Sequence, residues 1–115
     1  MVRLAVLGPV EVAHGDRLIP VPGPQLRCVL AVLASEAGRV VSMTRLAEAL
    51  WDTPPASARG TVQVYVSRLR KLLGGLGVAL VSAGGGYRLD VDPDDVDLHR
   101  FREVAARARG TADVA

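Results

Sequence analysis

Apolar positions along the chain first alternate, then recur at helical spacing, then alternate again, an order that predicts strands, three helices and a hairpin. Val2, Leu4 and Val6 alternate with Arg3, Ala5 and Leu7 until Gly8-Pro9 breaks the run. Residues 10–13 and 17–21 flank His14-Gly15-Asp16, a short glycine-bearing turn, and Pro20 and Pro22 mark a strand end or an exposed edge. An antiparallel sheet of three or four short strands is expected there. Pro24 then opens a helix whose Leu26, Val29, Leu30, Leu33 and Ala37 keep helical spacing up to a stop at Gly38. After an extended Val40-Val41, Ser42 is placed to cap a second helix with Met43, Leu46, Ala47 and Leu50 inward and Trp51 at its end. Asp52, Thr53, Pro54, Pro55 and Ala56 cannot continue it and form a loop.

The third helix is the longest, predicted over residues 57–73 with Ser57 as its cap, roughly 25 Å at ~1.5 Å per residue. Val62, Val66, Leu69 and Leu73 fall in one narrow stripe, and the opposite face holds Gly60, Val64, Ser67, Arg68 and Lys71, flanked by Thr61, Gln63 and Arg70. Gly74-Gly75 ends it. Residues 78–82 and 87–91 read as strands joined by Ala83-Gly84-Gly85-Gly86. Beyond them Leu98, Phe101, Val104, Ala105 and Ala108 return to helical spacing. That last segment reads either as the first helix of a second domain after a linker, or as a terminal helix docking back on the first.

Composition narrows the class. At 115 residues and 12.1 kDa, with half the chain apolar and a mean hydropathy of +0.27, a packed core is within reach without a metal or disulfide staple. A single cysteine, Cys28, fits a reducing, cytoplasmic setting, and the apolar runs fall far short of the ~20 residues of a membrane span. The opening apolar stretch is too short for a secretory signal. Two histidines, His14 and His99, and one cysteine give no metal-ligand or triad spacing, so no cofactor is expected and an enzyme is the least supported class. Gly84-Gly85-Gly86 has neither the Walker lysine nor a strand-to-helix context, and reads as a turn.

Charge changes the picture more than composition does. The net charge is only +2, but residues 17–88 carry nine Arg or Lys against three acids, while Asp90, Asp92, Asp94, Asp95 and Asp97 follow without a base. Thirteen of the fourteen bases are Arg, the forked donor suited to phosphate and guanine. The third helix holds Arg59, Arg68, Arg70 and Lys71 and no acid, unlike a solvated face on which opposite charges pair. Val64 among the polar positions gains nothing from water. In a DNA major groove the same face is consistent: Arg takes guanine O6/N7, Gln reads adenine and a Val methyl meets thymine.

Residues 57–73, followed by Gly86-Tyr87-Arg88-Leu89 and preceded by Leu46-Ala47-Glu48-Ala49-Leu50-Trp51, resemble the winged helix-turn-helix of OmpR-type response-regulator effectors. With the opening from Arg3 to Val12 and the run from Asp90 to Phe101, the chain resembles the Streptomyces antibiotic regulatory protein family over about residues 2–109. The resemblance implies an α+β winged helix-turn-helix: an N-terminal antiparallel sheet, three helices and a C-terminal β-hairpin wing over residues 1–91. Residues 92–115 would then be a linker and the first helix of a bacterial transcriptional activation domain. It implies sequence-specific double-stranded DNA as partner, direct-repeat promoter sites held by two protomers in tandem, and RNA polymerase facing Asp52, Thr53, Pro54, Pro55 and Ala56.

Carried over residue by residue, Arg68 stands at a base-reading position, and Gln63 and Val64 join it from the chemistry of the face. Thr61, Tyr65, Arg70, Trp51 and Tyr87 stand at backbone-contacting positions, and Arg59, Lys71 and Arg88 are added by charge. Gly60 replaces a residue that is polar or basic in many members, and the wing tip lacks the Arg that others insert into the minor groove. Trp51 fits a partly buried core cap as well as a phosphate donor, and Tyr87 also fits a ring closing the hairpin against the third helix. The rival function is a protein-interaction module that uses the basic face for an acidic partner; RNA is disfavoured by the chain's four aromatic residues.

Overall fold

The computed structural model describes residues 2–6, 10–15 and 17–97. Three strands, β1 (Val2–Ala5), β2 (Glu11–His14) and β3 (Arg17–Pro20), form an antiparallel meander in that order. The register sets Leu4 opposite Val12 and Val12 opposite Ile19, so alternation delivers one apolar row to the interior, where Leu4 and Val12 are fully buried. Both ends of the first hairpin are displaced by one residue from the expectation: His14 belongs to β2 and pairs with Arg17 rather than lying in the turn.

Helix α1 (Pro24–Ser35) buries Leu26, Val29, Leu30, Leu33 and Ala34 and stops two residues short of Ala37, which is buried from the following turn. Strand β4 (Val40–Ser42) leads into α2 (Met43–Leu50), where the Ser42 hydroxyl accepts from the Arg45 amide at 3.1 Å, the expected cap. Helix α3 (Ala58–Gly74) buries Val62, Val66, Leu69 and Leu73 at 1% exposure or less, the predicted stripe. Ser57 does not cap it. Its side chain bonds no helix amide, and its carbonyl instead accepts from the Thr61 amide and hydroxyl.

Strands β5 (Ala79–Ala83) and β6 (Gly86–Asp90) form the C-terminal hairpin, and β4 completes a second sheet in the order β4-β6-β5. Gly84 and Gly85, with φ of 52° and 80°, make the whole connection, so Ala83 and Gly86 belong to the ladder and the strands start and end one residue from the predicted bounds. Past β6, the stretch expected to be linker is fastened down. Asp92 caps a short 3₁₀ turn (Pro93–Asp95), Val96 is fully buried and bridges Leu4 in parallel, and the Val6 amide donates to the Asp97 carboxylate at 2.8 Å. The break at Gly8-Pro9, Asp16 of the first turn, His99 and the helical pattern from Leu98 onward lie outside the described residues.

Candidate nucleic-acid interface

Helix α3 is pinned by its buried stripe, and the pinning turns Arg59, Gly60, Gln63, Val64, Ser67, Arg68 and Lys71 to solvent. Val64 keeps 48% of its surface exposed, a large apolar side chain half open to solvent. Among the described residues the ion pairs join Arg45 to Glu36 at 3.1 Å and Arg88 to Asp90 at 2.6 Å; neither involves α3. Arg59, Arg68 and Lys71 therefore carry their charge without a partner among the described residues. No acid of α3 offsets them.

The remaining predicted contacts have partners within the fold. Arg70 is the clearest case: its Nε donates to the Leu80 carbonyl at 2.9 Å and its Nη2 to the Ser82 hydroxyl at 3.3 Å, so the guanidinium ties α3 to the first wing strand. The Arg88 guanidinium is held by Asp90 two residues along β6, and that hydrogen bond lowers the Asp90 carboxyl below its ordinary range and raises the arginine. The Thr61 hydroxyl bonds back to the Ser57 carbonyl at 3.2 Å, one turn earlier. Tyr87 is a core residue at 9% exposure, set by the register between Val41 and Ser82. Trp51 and Tyr65 are half-buried against the same core.

A cleft of about 380 Å³ runs between α3 and the wing, lined by Arg59 and Gln63 on one wall and by Ser82, Ala83, Gly84 and Tyr87 on the other, with Met43 at its end. Sequence reasoning missed what fixes its width. Met43 donates its amide to the Gly85 carbonyl at 3.3 Å, joining the wing tip to the start of α2. A Cβ at Gly86 would overlap the Val41 carbonyl, so only glycine lets β4 and β6 approach there. A glycine run signals a turn in sequence, but not which glycine is needed for closeness. The loop 52–56 is exposed throughout and, with Thr44, Ala47, Glu48 and Arg59, borders a shallow hollow of about 550 Å³. Cys28 is half-buried, its thiol donating to the Ala49 carbonyl at 3.5 Å, and burial raises its pKa, which fits a filler between α1 and α2. No group of three or more metal-ligating side chains occurs among the described residues.

This geometry has close counterparts. The family profile described as "Transcriptional regulatory protein, C terminal" matches residues 22–89, from the end of the first sheet through both strands of the wing. The chain belongs to that family. It is 41% identical over 110 residues to the transcriptional regulatory protein EmbR of Mycobacterium tuberculosis, covering 91% of this chain and 28% of EmbR. It is 38% identical over 107 residues to the regulatory protein AfsR of Streptomyces griseus, covering 92% of this chain and 11% of AfsR. The chain thus spans under a third of either relative. A structure of M. tuberculosis EmbR in complex with a low-affinity phosphopeptide superposes at a TM-score of 0.79 with 39% identity, over 87% of this chain and 28% of that one. The DNA-binding domain of Escherichia coli CadC superposes at 0.57 with 25% identity, over 71% of this chain and 79% of that one. Members of this family are transcriptional regulators, and the fold of this chain is their winged-helix DNA-binding domain: helices α2 and α3 make the helix-turn-helix and β5–β6 the wing. Among the described residues no helix is long and apolar enough to cross a membrane.

Proposed function

We propose that this domain reads double-stranded DNA by laying the acid-free face of α3 in the major groove, and that it serves a cytoplasmic, non-enzymatic transcriptional activator of secondary-metabolite genes. The observation that carries the reading is the set of cations on α3 that are unpaired among the described residues: Arg59, Arg68 and Lys71 flank the half-exposed Val64 and the exposed Gln63, with no described carboxylate to neutralise them. A face of this kind costs stability in isolation through like-charge repulsion, and phosphate removes the cost. Arg68, Gln63 and Val64 are the base readers. Arg59 and Lys71, with Thr61, Tyr65 and Trp51 at the edges, hold the sugar-phosphate backbone and set the register. Arg70, Tyr87 and Arg88 act from behind, by holding the wing.

The tight Gly84-Gly85 turn supports a wing that braces the backbone and probes no base, since its tip carries neither cation nor amide side chain. In this reading an activation module follows from residue 92 onward, the domain binds in tandem at direct-repeat promoter sites, and the exposed loop 52–56 meets RNA polymerase; the length of the relatives AfsR and EmbR, much longer than this chain, supports the first of these. A protein-interaction role for the same face is tested by the same experiment. Duplexes selected from a random pool should bind at least a hundredfold tighter than random duplex at one salt concentration. Both affinities should fall with salt at a log–log slope of about −0.9 for each phosphate held. Equal affinity for selected and random duplex, or a slope near zero, would contradict the reading.

A further inference from the structure

Strand β5 carries a hydroxyl in a row that is otherwise apolar. The pairs Leu80–Leu89 and Ser82–Tyr87 share one face of the wing hairpin, because side chains two apart on a strand point the same way. Leu80, Leu89 and Tyr87 are buried by the core. Ser82 ends the row nearest the turn and is exposed, where the core stops and the cleft between α3 and the wing begins.

The polarity of that hydroxyl is set by its neighbour. Arg70 Nη2 lies 3.3 Å from Ser82 Oγ, and a guanidinium has donors but no acceptor, so the serine oxygen accepts there. Its own proton is left to donate, and among the described residues none accepts it. On the facing wall stands Arg59, one helical turn before Gln63 and without an ion-pair partner among the described residues. None of the described residues lining the cleft is acidic. The Gly85 carbonyl, which accepts the Met43 amide, ties the wing tip to α2, so the two walls keep their separation. A cation on one wall and a hydroxyl donor on the other suit an anion rich in acceptor oxygens.

We propose that the cleft takes one phosphodiester of the duplex, pinched between the Arg59 guanidinium and the Ser82 hydroxyl. The proposal rests on the DNA reading above and adds a residue and a place to it. Ser82 is a backbone contact made from the body of the wing, where the bare Gly84-Gly85 tip has no side chain to offer. Arg70 occupies the accepting side of the hydroxyl and leaves the proton to the phosphate. One phosphate held from both α3 and the wing fixes the depth at which the helix sits in the groove.

The test uses the 115-residue chain and the selected duplex, with each backbone phosphate replaced in turn by a neutral methylphosphonate. Affinities are measured for wild type, Ser82→Ala, Ser82→Thr and Arg59→Ala. Ser82→Ala should weaken the unmodified duplex about tenfold, the scale of one hydrogen bond to a charged group. Ser82→Thr keeps the hydroxyl on a side chain suited to a strand and should bind within about twofold of wild type. At one phosphate the replacement should cost wild type about tenfold or more, and cost Ser82→Ala and Arg59→Ala several-fold less, because acceptor and donor belong to one contact. Unchanged affinity in Ser82→Ala would overturn the proposal. So would a loss in that variant with no relief at any phosphate, which would make the serine a structural tie to Arg70, or relief for the two variants at different phosphates. Wild-type indifference to every replacement would overturn the DNA reading itself, and the proposal with it.

Discussion

Arg68 and Arg70 lie two positions apart on α3, about 200° around it at ~100° per residue, and the fold gives them different work. Arg68 is exposed and partnerless among the described residues, whereas Arg70 spends two of its donors on Leu80 and Ser82 of the wing. Replacing Arg68 by Ala should cost ~1–3 kcal/mol on the preferred duplex and relax preference at one base position, read by affinities on single-base variants of that duplex. Equal loss on preferred and random duplex would make Arg68 a backbone contact. Arg70→Ala should weaken all duplexes alike and lower thermal stability by about 1 kcal/mol, because of its two hydrogen bonds one is part-buried and the other exposed. The magnitude of its salt slope should stay at the wild-type value; a drop of about 0.9 would show that Arg70 also neutralises a phosphate. The sequence could not separate the two arginines. Both sit in a basic run, and the Leu80 carbonyl that captures Arg70 lies beyond the helix, on a strand whose approach is set by tertiary packing. Ser42 and Ser57 teach the same lesson: both precede helices, and only Ser42 caps with its hydroxyl.

At the scale of elements, apolar spacing exposed all three helices and the buried stripe of α3, because period and burial are the same physical fact for a helix with one packed side. The hairpins were legible as hairpins and wrong by one residue, since strand ends depend on turn length and not on the alternation. The wing shows what that difference controls. Gly86→Ala should break the β4–β6 approach and destabilise the domain by roughly 3 kcal/mol or more, measured by thermal or urea unfolding, because the obstacle is the backbone of Val41 and cannot swing aside. Gly60→Ala meets open space inside the first turns of α3 and should instead stabilise the domain by ~0.5–1 kcal/mol. If Gly60→Ala also leaves duplex affinity intact, the helix has room at that position against DNA; a loss of affinity would mean that a phosphate or base comes within a methyl group of it.

Across the whole molecule the chain separates its charges. Among the described residues three cations without an ion-pair partner, Arg59, Arg68 and Lys71, share the exposed face of α3, and five acids collect between Asp90 and Asp97, where one pairs Arg88 and another accepts from the Val6 amide just past β1. The separation was legible from sequence, as was the family likeness it accompanies. The burial of Val96 was not, since one valine among aspartates and a proline reads as linker until β1 is known to offer an open edge. Central to the account is that α3 reads the major groove through Arg68. The most direct measurement compares wild type and Arg68→Ala on the selected duplex with and without the guanine N7 nitrogens, each replaced in turn by carbon. The account predicts that one replacement costs wild type ~1–3 kcal/mol and costs Arg68→Ala nothing further, because the lost acceptor and the lost donor are one contact. Wild-type binding that is indifferent to every N7 replacement, yet lost when the guanine amino groups in the minor groove are removed, would contradict it.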